Sequence, residues 1–115
     1  MIRDTIKKHE DFAAGDNDLT ARCAYFLVRC KDAKYPDDAR YGLIVTKKTF
    51  KHAVDRNRAK RMLRDWIEHN EKMLSPEWDY IFVARRDILT ADRLSGRTAM
   101  KKALHYLLKQ KTDAQ

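Results

Sequence analysis

The chain is poor in the residues that break or bend a backbone, with three glycines and two prolines among 115 residues. That composition excludes collagen-like, Pro-rich and Gly/Ser-linker architectures, and leaves regular elements joined by a few turns. Cysteine is scarce as well. Cys23 and Cys30 are too few for a disulfide-stapled scaffold. On one strand, which is how 22–30 reads, their odd spacing sends them to opposite faces, so they are not expected to pair. His9, His52, His69 and His105 are spread along the chain, so no Cys and His pattern has zinc-site spacing. No apolar run approaches the ~18 residues of a spanning helix, and residues 1–11 lack the apolar centre of a signal peptide. The expectation is a cytoplasmic protein that does not enter a membrane.

Acidic charge is the other shortfall. Seventeen Asp and Glu face twenty-five Lys and Arg, a formal net charge of +8, and such a surface attracts polyanions, most commonly nucleic acid. Charge serving only solubility would explain scattered lysines but not arginines crowded into one helix. Hydrophobic residues make up 43% of the chain, enough for one modest core. With no repeat, low-complexity tract or linker, the sequence reads as one domain over 1–115.

Periodicity orders the elements. Residues 5–14 read as a short helix with Ile6 and Phe12 as its main apolar residues, ended by Gly15 and the Asp16-Asn17-Asp18 run. The apolar, aromatic-rich stretch 22–30 reads as a strand. After the turn cluster Tyr35-Pro36-Asp37-Asp38, residues 41–46 read as a second strand, and the two are expected to form a hairpin. From 54 to 74, Ala59, Met62, Leu63, Trp66, Ile67, Met73 and Leu74 form one helical stripe, which Ser75-Pro76-Glu77 ends. Residues 79–84 are contiguously apolar and read as a buried strand. A last helix covers 91–109, with Leu94, Met100 or Ala103, Leu104, Leu107 and Leu108 facing the core and Gly96 a weak point costing about 1 kcal/mol against Ala. The predicted class is α/β (α+β): a two-layer sandwich of helices on a small sheet, with parallel pairing across the long helix.

The chemistry concentrates in Arg56-Asn57-Arg58-Ala59-Lys60-Arg61-Met62-Leu63-Arg64, five cations in nine residues. At about 100° per residue, Asn57, Lys60, Arg61 and Arg64 share a stripe beside the apolar face, with Arg56 and Arg58 on its flanks. Arginine suits phosphate because its planar fork makes two parallel hydrogen bonds, while lysine adds a less directional charge. The bland alternative is a solvated face with intrahelical pairs, Arg61 to Asp65 and Arg64 to Glu68. Against it, Arg56, Arg58 and Lys60 have no acidic residue four positions on. Asn57 is equally readable as a helix cap or as a ligand contact. Lys47-Lys48 ends one strand and Arg85-Arg86 ends another. Side by side and parallel, those strands would bring their basic ends together. No nucleophile and base pair and no two-metal carboxylate motif suggests hydrolysis by the protein itself.

Together, Gly42-Leu43-Ile44-Val45-Thr46-Lys47-Lys48, the Arg-Asn-Arg-x-Lys-Arg-x-x-Arg string from Arg56 to Arg64, and Asp79-Tyr80-Ile81-Phe82-Val83-Ala84-Arg85 resemble the protein subunit of bacterial ribonuclease P. The likeness runs from about Ile6 to Gln110. It implies a mixed sheet of about four strands with a left-handed β-α-β crossover around the basic helix, where general stereochemistry favours the right-handed one. It also implies a catalytic RNA subunit that uses Mg2+ to remove the 5′ leader of precursor tRNA. On that resemblance Arg56, Asn57, Arg58, Lys60, Arg61 and Arg64 contact RNA, supported by Lys47 and Lys48. Phe12 and Tyr25 or Phe26 line a cleft for the single-stranded leader. The implied partners are the catalytic RNA and precursor tRNA, with no obligate protein partner. Two departures stand out: Asp16 occupies the place of the family's second aromatic, and Phe50 and Lys51 replace its Gly-Asn after the lysine pair. The same basic sandwich would also suit a ribosomal or ribosome-assembly protein, or a DNA-binding module with its helix in the major groove.

Overall fold

Phe26–Asp32, whose burial alternates, and Trp78–Ala84, buried over most of its length, pair antiparallel in register and form the middle of a mixed sheet. A computed structural model of the chain describes residues 3–4, 18–34 and 40–113. The helix expected over 5–14 and the turn cluster at 35–38 lie outside the described residues. The strands are β1 (Arg3–Asp4), β2 (Leu19–Arg22), β3 (Phe26–Asp32), β4 (Arg40–Ile44) and β5 (Trp78–Ala84). The helices are α1 (Ala53–His69) and α2 (Arg93–Asp113), with 3-10 turns at Glu71–Met73 and Arg86–Thr90. The sheet order is β1-β4-β5-β3-β2. β4 runs parallel to β5 and to β1, whereas β3 runs antiparallel to β5 and β2. Four longer strands, a two-residue fifth and two helices make the α+β sandwich that the sequence predicts.

Two expectations about the strands need correction. The strand read over 22–30 is a hairpin: Arg22 ends β2, Phe26 begins β3, and the Cys23 N–H donates to the Phe26 carbonyl at 2.9 Å across the turn. Cys23 therefore sits in a turn and Cys30 in a strand, both as free thiols, so opposite faces of a single strand do not describe them. Nor do β3 and β4 form a hairpin, because β5 lies between them. A contiguously apolar strand gains most from neighbours on both edges, and apolar patterning carries no record of which strand supplies them. The parallel pairing across α1 is as expected, with Tyr41 opposite Tyr80 and Ile44 opposite Val83.

Alternation sends Phe26, Val28 and Cys30 of β3, with Tyr80, Phe82 and Ala84 of β5, to the face that carries the helices. There they meet Ala59, Leu63, Trp66 and Ile67 of α1 and Met100, Leu104 and Leu107 of α2. Trp66 sits at the centre, 1% exposed, its ring centroid 6.2 Å from that of Phe26. α1 ends at Asn70 rather than continuing to 74, because the buried Asn70 amide donates to the Trp66 carbonyl at 2.9 Å and to the Arg97 carbonyl at 3.1 Å. α2 starts where Asp92 accepts from the Ser95 N–H at 2.7 Å. Leu94, expected in the core, lies in that first turn and is 76% exposed. Gly96 takes the buried place instead. A Cβ there would collide with the Trp66 indole, so this glycine is what lets the two helices approach, and it is not a weak point.

Candidate nucleic-acid interface

α1 buries Ala59, Leu63, Trp66 and Ile67, which turns the opposite side of the helix outward. Asn57, Arg58 and Arg61 are exposed there, with Lys60 and Arg64 half-buried beside them. Asn57 lies in the second turn of a helix that begins at Ala53 and is capped at His52, so its cap reading falls. Arg56 has a local task as well. His52 gives no side-chain cap, and the Arg56 Nη1 donates instead to the Phe50 and Lys51 carbonyls at 2.9 and 3.1 Å.

The carboxylate that the sequence places beside Arg61 is engaged elsewhere. Asp65 receives two hydrogen bonds from Arg97 of α2, Nε to Oδ2 at 3.1 Å and Nη2 to Oδ1 at 3.0 Å. These bonds hold its carboxyl below the usual range, helped by the positive charge of Arg97 and Arg93. Arg58, Lys60 and Arg61 consequently have no carboxylate partner among the described residues. Arg58 and Arg61 line a hollow of about 330 Å³ with Met62, Asp65, Trp66 and Arg93. Sequence reading missed Arg93 and Arg97. No local pattern marks them, since only the packing of α2 on α1 brings them to the basic helix.

Lys47 and Lys48 stand exposed in a turn that Thr46 organises. Its hydroxyl accepts from the Thr49 N–H at 3.2 Å, and its carbonyl accepts from the Phe50 N–H at 2.9 Å. Phe50, in place of the glycine the resemblance implies, is 3% exposed and anchors the turn in the core. Because β4 and β5 are parallel neighbours, Lys47 and Lys48 leave the sheet at the same end as Arg85 and Arg86, where α1 also begins. Arg85 secures the β2–β3 turn there, its N–H donating to the Tyr25 carbonyl at 2.9 Å and its Nη1 to the Cys23 carbonyl at 3.1 Å.

The aromatic candidates fare differently. Phe26 is corrected: it is 0% exposed, wedged against Trp66 and Phe82, and a ring without free surface cannot stack on a base. Tyr25 is half-buried, 5.9 Å from Trp66 between ring centroids. Phe12 lies outside the described residues. Strand alternation points Leu27, Ile44 and Val83 to the sheet face away from the helices, each half-buried.

Comparison with known proteins agrees with this geometry. A family model described as ribonuclease P matches residues 3–108. The ribonuclease P protein component of Bacillus velezensis is 33% identical over 109 residues, covering 94% of this chain and 89% of that protein. Its counterpart in a Marinomonas species is 42% identical over 74 residues, covering 64% of this chain and 55% of that one, so along this relative the match spans little more than half its length. The solved RNase P protein of Staphylococcus aureus superposes with a TM-score of 0.73 at 27% identity, covering 91% of this chain and 94% of the other. Matched along nearly all its length in sequence and in backbone course, the chain belongs to the ribonuclease P family.

Proposed function

We propose that this protein is the RNA-binding protein component of ribonuclease P, which holds the catalytic RNA and the 5′ leader of precursor tRNA while the RNA, with Mg2+, cleaves the leader. The observation that carries the reading is the outward ridge of α1, kept positive because Arg97 holds the neighbouring Asp65. Arg58 and Arg61 fit phosphates through their forked guanidiniums, Lys60 and Arg64 extend the track, and Lys47 and Lys48 continue it beyond the end of β4. Leader bases find apolar surface at Leu27, Ile44 and Val83 on the opposite sheet face.

The test is reconstitution. Added to its cognate catalytic RNA at low Mg2+, the protein should restore removal of a tRNA leader. Arg61→Ala should weaken RNA binding about tenfold or more, the loss expected for charge-assisted hydrogen bonds, with little change in stability. No stimulation by the wild-type protein, or equal affinity of Arg61→Ala and wild type at low salt, would overturn the proposal. Competition by duplex DNA at matched salt separates RNA recognition from generic counterion release.

A further inference from the structure

A second groove, of about 860 Å³, runs between α2 and the edge strand β2 and its turn, on the helix-bearing side of the molecule. Ser95, Ala99, Lys102 and Tyr106 form one wall, spaced along a single face of α2. Residues 20–25 form the other. Alanines on both walls, Ala21 and Ala24 facing Ala99 and Ala103, leave the space hollow where larger side chains would fill it. The rim is cationic and aromatic: Arg22 and Lys102 are exposed, Tyr106 is 49% exposed, and among the described residues no carboxylate lines the groove. Neither Arg22 nor Lys102 is paired among the described residues.

We propose that this groove is a second RNA site, which takes a short single-stranded stretch with its phosphates at Arg22 and Lys102 and its bases against Tyr25 and Tyr106. The inference rests on the RNA-binding function proposed above and adds a site separate from the α1 ridge. Charge complementarity selects a polyanion. The two tyrosines select one with free base faces, which a duplex hides and a single strand presents. The groove's volume falls within the ~300–1,000 Å³ of sites that enclose small ligands, which suits one or two nucleotides and not a folded domain. The two basic hollows also adjoin. Tyr25 packs on Trp66, which lines the arginine hollow, and Ser95 follows Arg93 by two residues. A strand leaving the α1 ridge reaches this groove around the first turn of α2.

The test measures binding of a fluorescein-labelled ten-nucleotide oligouridylate to the full chain across a salt series, beside binding of the catalytic RNA. Tyr106→Ala should weaken oligonucleotide binding at least about fivefold, and Tyr106→Phe should restore it. Lys102→Ala should reduce the slope of log K against log salt by about 0.7. Both alanine variants should hold the catalytic RNA as the wild type does, whereas Arg61→Ala should not. Bound oligonucleotide should also slow maleimide labelling of Cys23, which lines the groove. Cys30, buried and with its thiol pushed up to about 11 by that burial, stays unlabelled throughout. Wild-type affinity and salt slope in Tyr106→Ala and Lys102→Ala, alongside a loss in Arg61→Ala, would reduce the groove to a crease in the surface. Equal competition by polyglutamate would show charge alone at work and overturn it too. Failure of the wild type to bind catalytic RNA would remove the underlying function instead.

Discussion

Asp65 decides how much of the α1 ridge stays positive. Sequence spacing offers its carboxylate to Arg61 one turn earlier, and the fold gives it to Arg97 through two hydrogen bonds. The pair also makes stability depend on pH. A carboxyl held below its ordinary value of 3.8 in the folded state contributes fully above that value and loses its contribution as pH falls through the lower folded value. Asp65→Asn should therefore cost about 0.5–1 kcal/mol at pH 7, the range for a partly exposed pair. That deficit should shrink steadily below about pH 4. Urea melts of both proteins between pH 7 and pH 2 check this, and a deficit constant to pH 2 would mean that the Asp65 charge is not its source.

At the scale of elements, the approach of α2 to α1 depends on one missing side chain. Helix propensity alone ranks Ala above Gly by about 1 kcal/mol, which predicts that Gly96→Ala stabilises. The Trp66 indole occupies the space that the new methyl would need, and the ring is held by Phe26 and Tyr25. Gly96→Ala should destabilise by about 1–3 kcal/mol, as overpacked cores do. Trp66→Leu should remove most of that penalty in the double variant, a non-additivity that thermal melts of the four proteins would reveal. The amphipathic stripe of α1 was legible because its repeat is local. Its end was not, because Asn70 stops the helix by reaching across to the Arg97 carbonyl, a partner on a different element.

For the whole molecule, the parallel pairing of β4 with β5 matters most, since it brings Lys47, Lys48, Arg86 and the start of α1 to one end of the sheet. Arg40 and Asp79, opposite each other in register, lock that pairing through a buried fork, Nε to Oδ1 at 3.0 Å and Nη2 to Oδ2 at 2.7 Å. Both residues are almost inaccessible, at 6% and 1% exposure. Asp79→Ala should cost about 3–5 kcal/mol, because it removes both charge-assisted bonds that the buried Arg40 guanidinium makes to this carboxylate. Lys48→Ala, out in solvent, should stay within about 0.5 kcal/mol of wild type in the same denaturant titration. A small loss in Asp79→Ala would show that the fork to Asp79 does not hold the register and that the apolar face does.

The sequence by itself determined the positive charge, the amphipathic basic helix, the buried strand at 79–84 and the family likeness, because each is written in composition, in repeats of 3.6 or 2 residues, or in one contiguous string. Only the tertiary structure decided that β5 lies between β3 and β4, that Phe26 faces inward, that Arg97 takes Asp65 and that Gly96 admits Trp66. Those outcomes depend on which distant surfaces meet and how closely, and a local repeat fixes the face a side chain takes without naming what it will face.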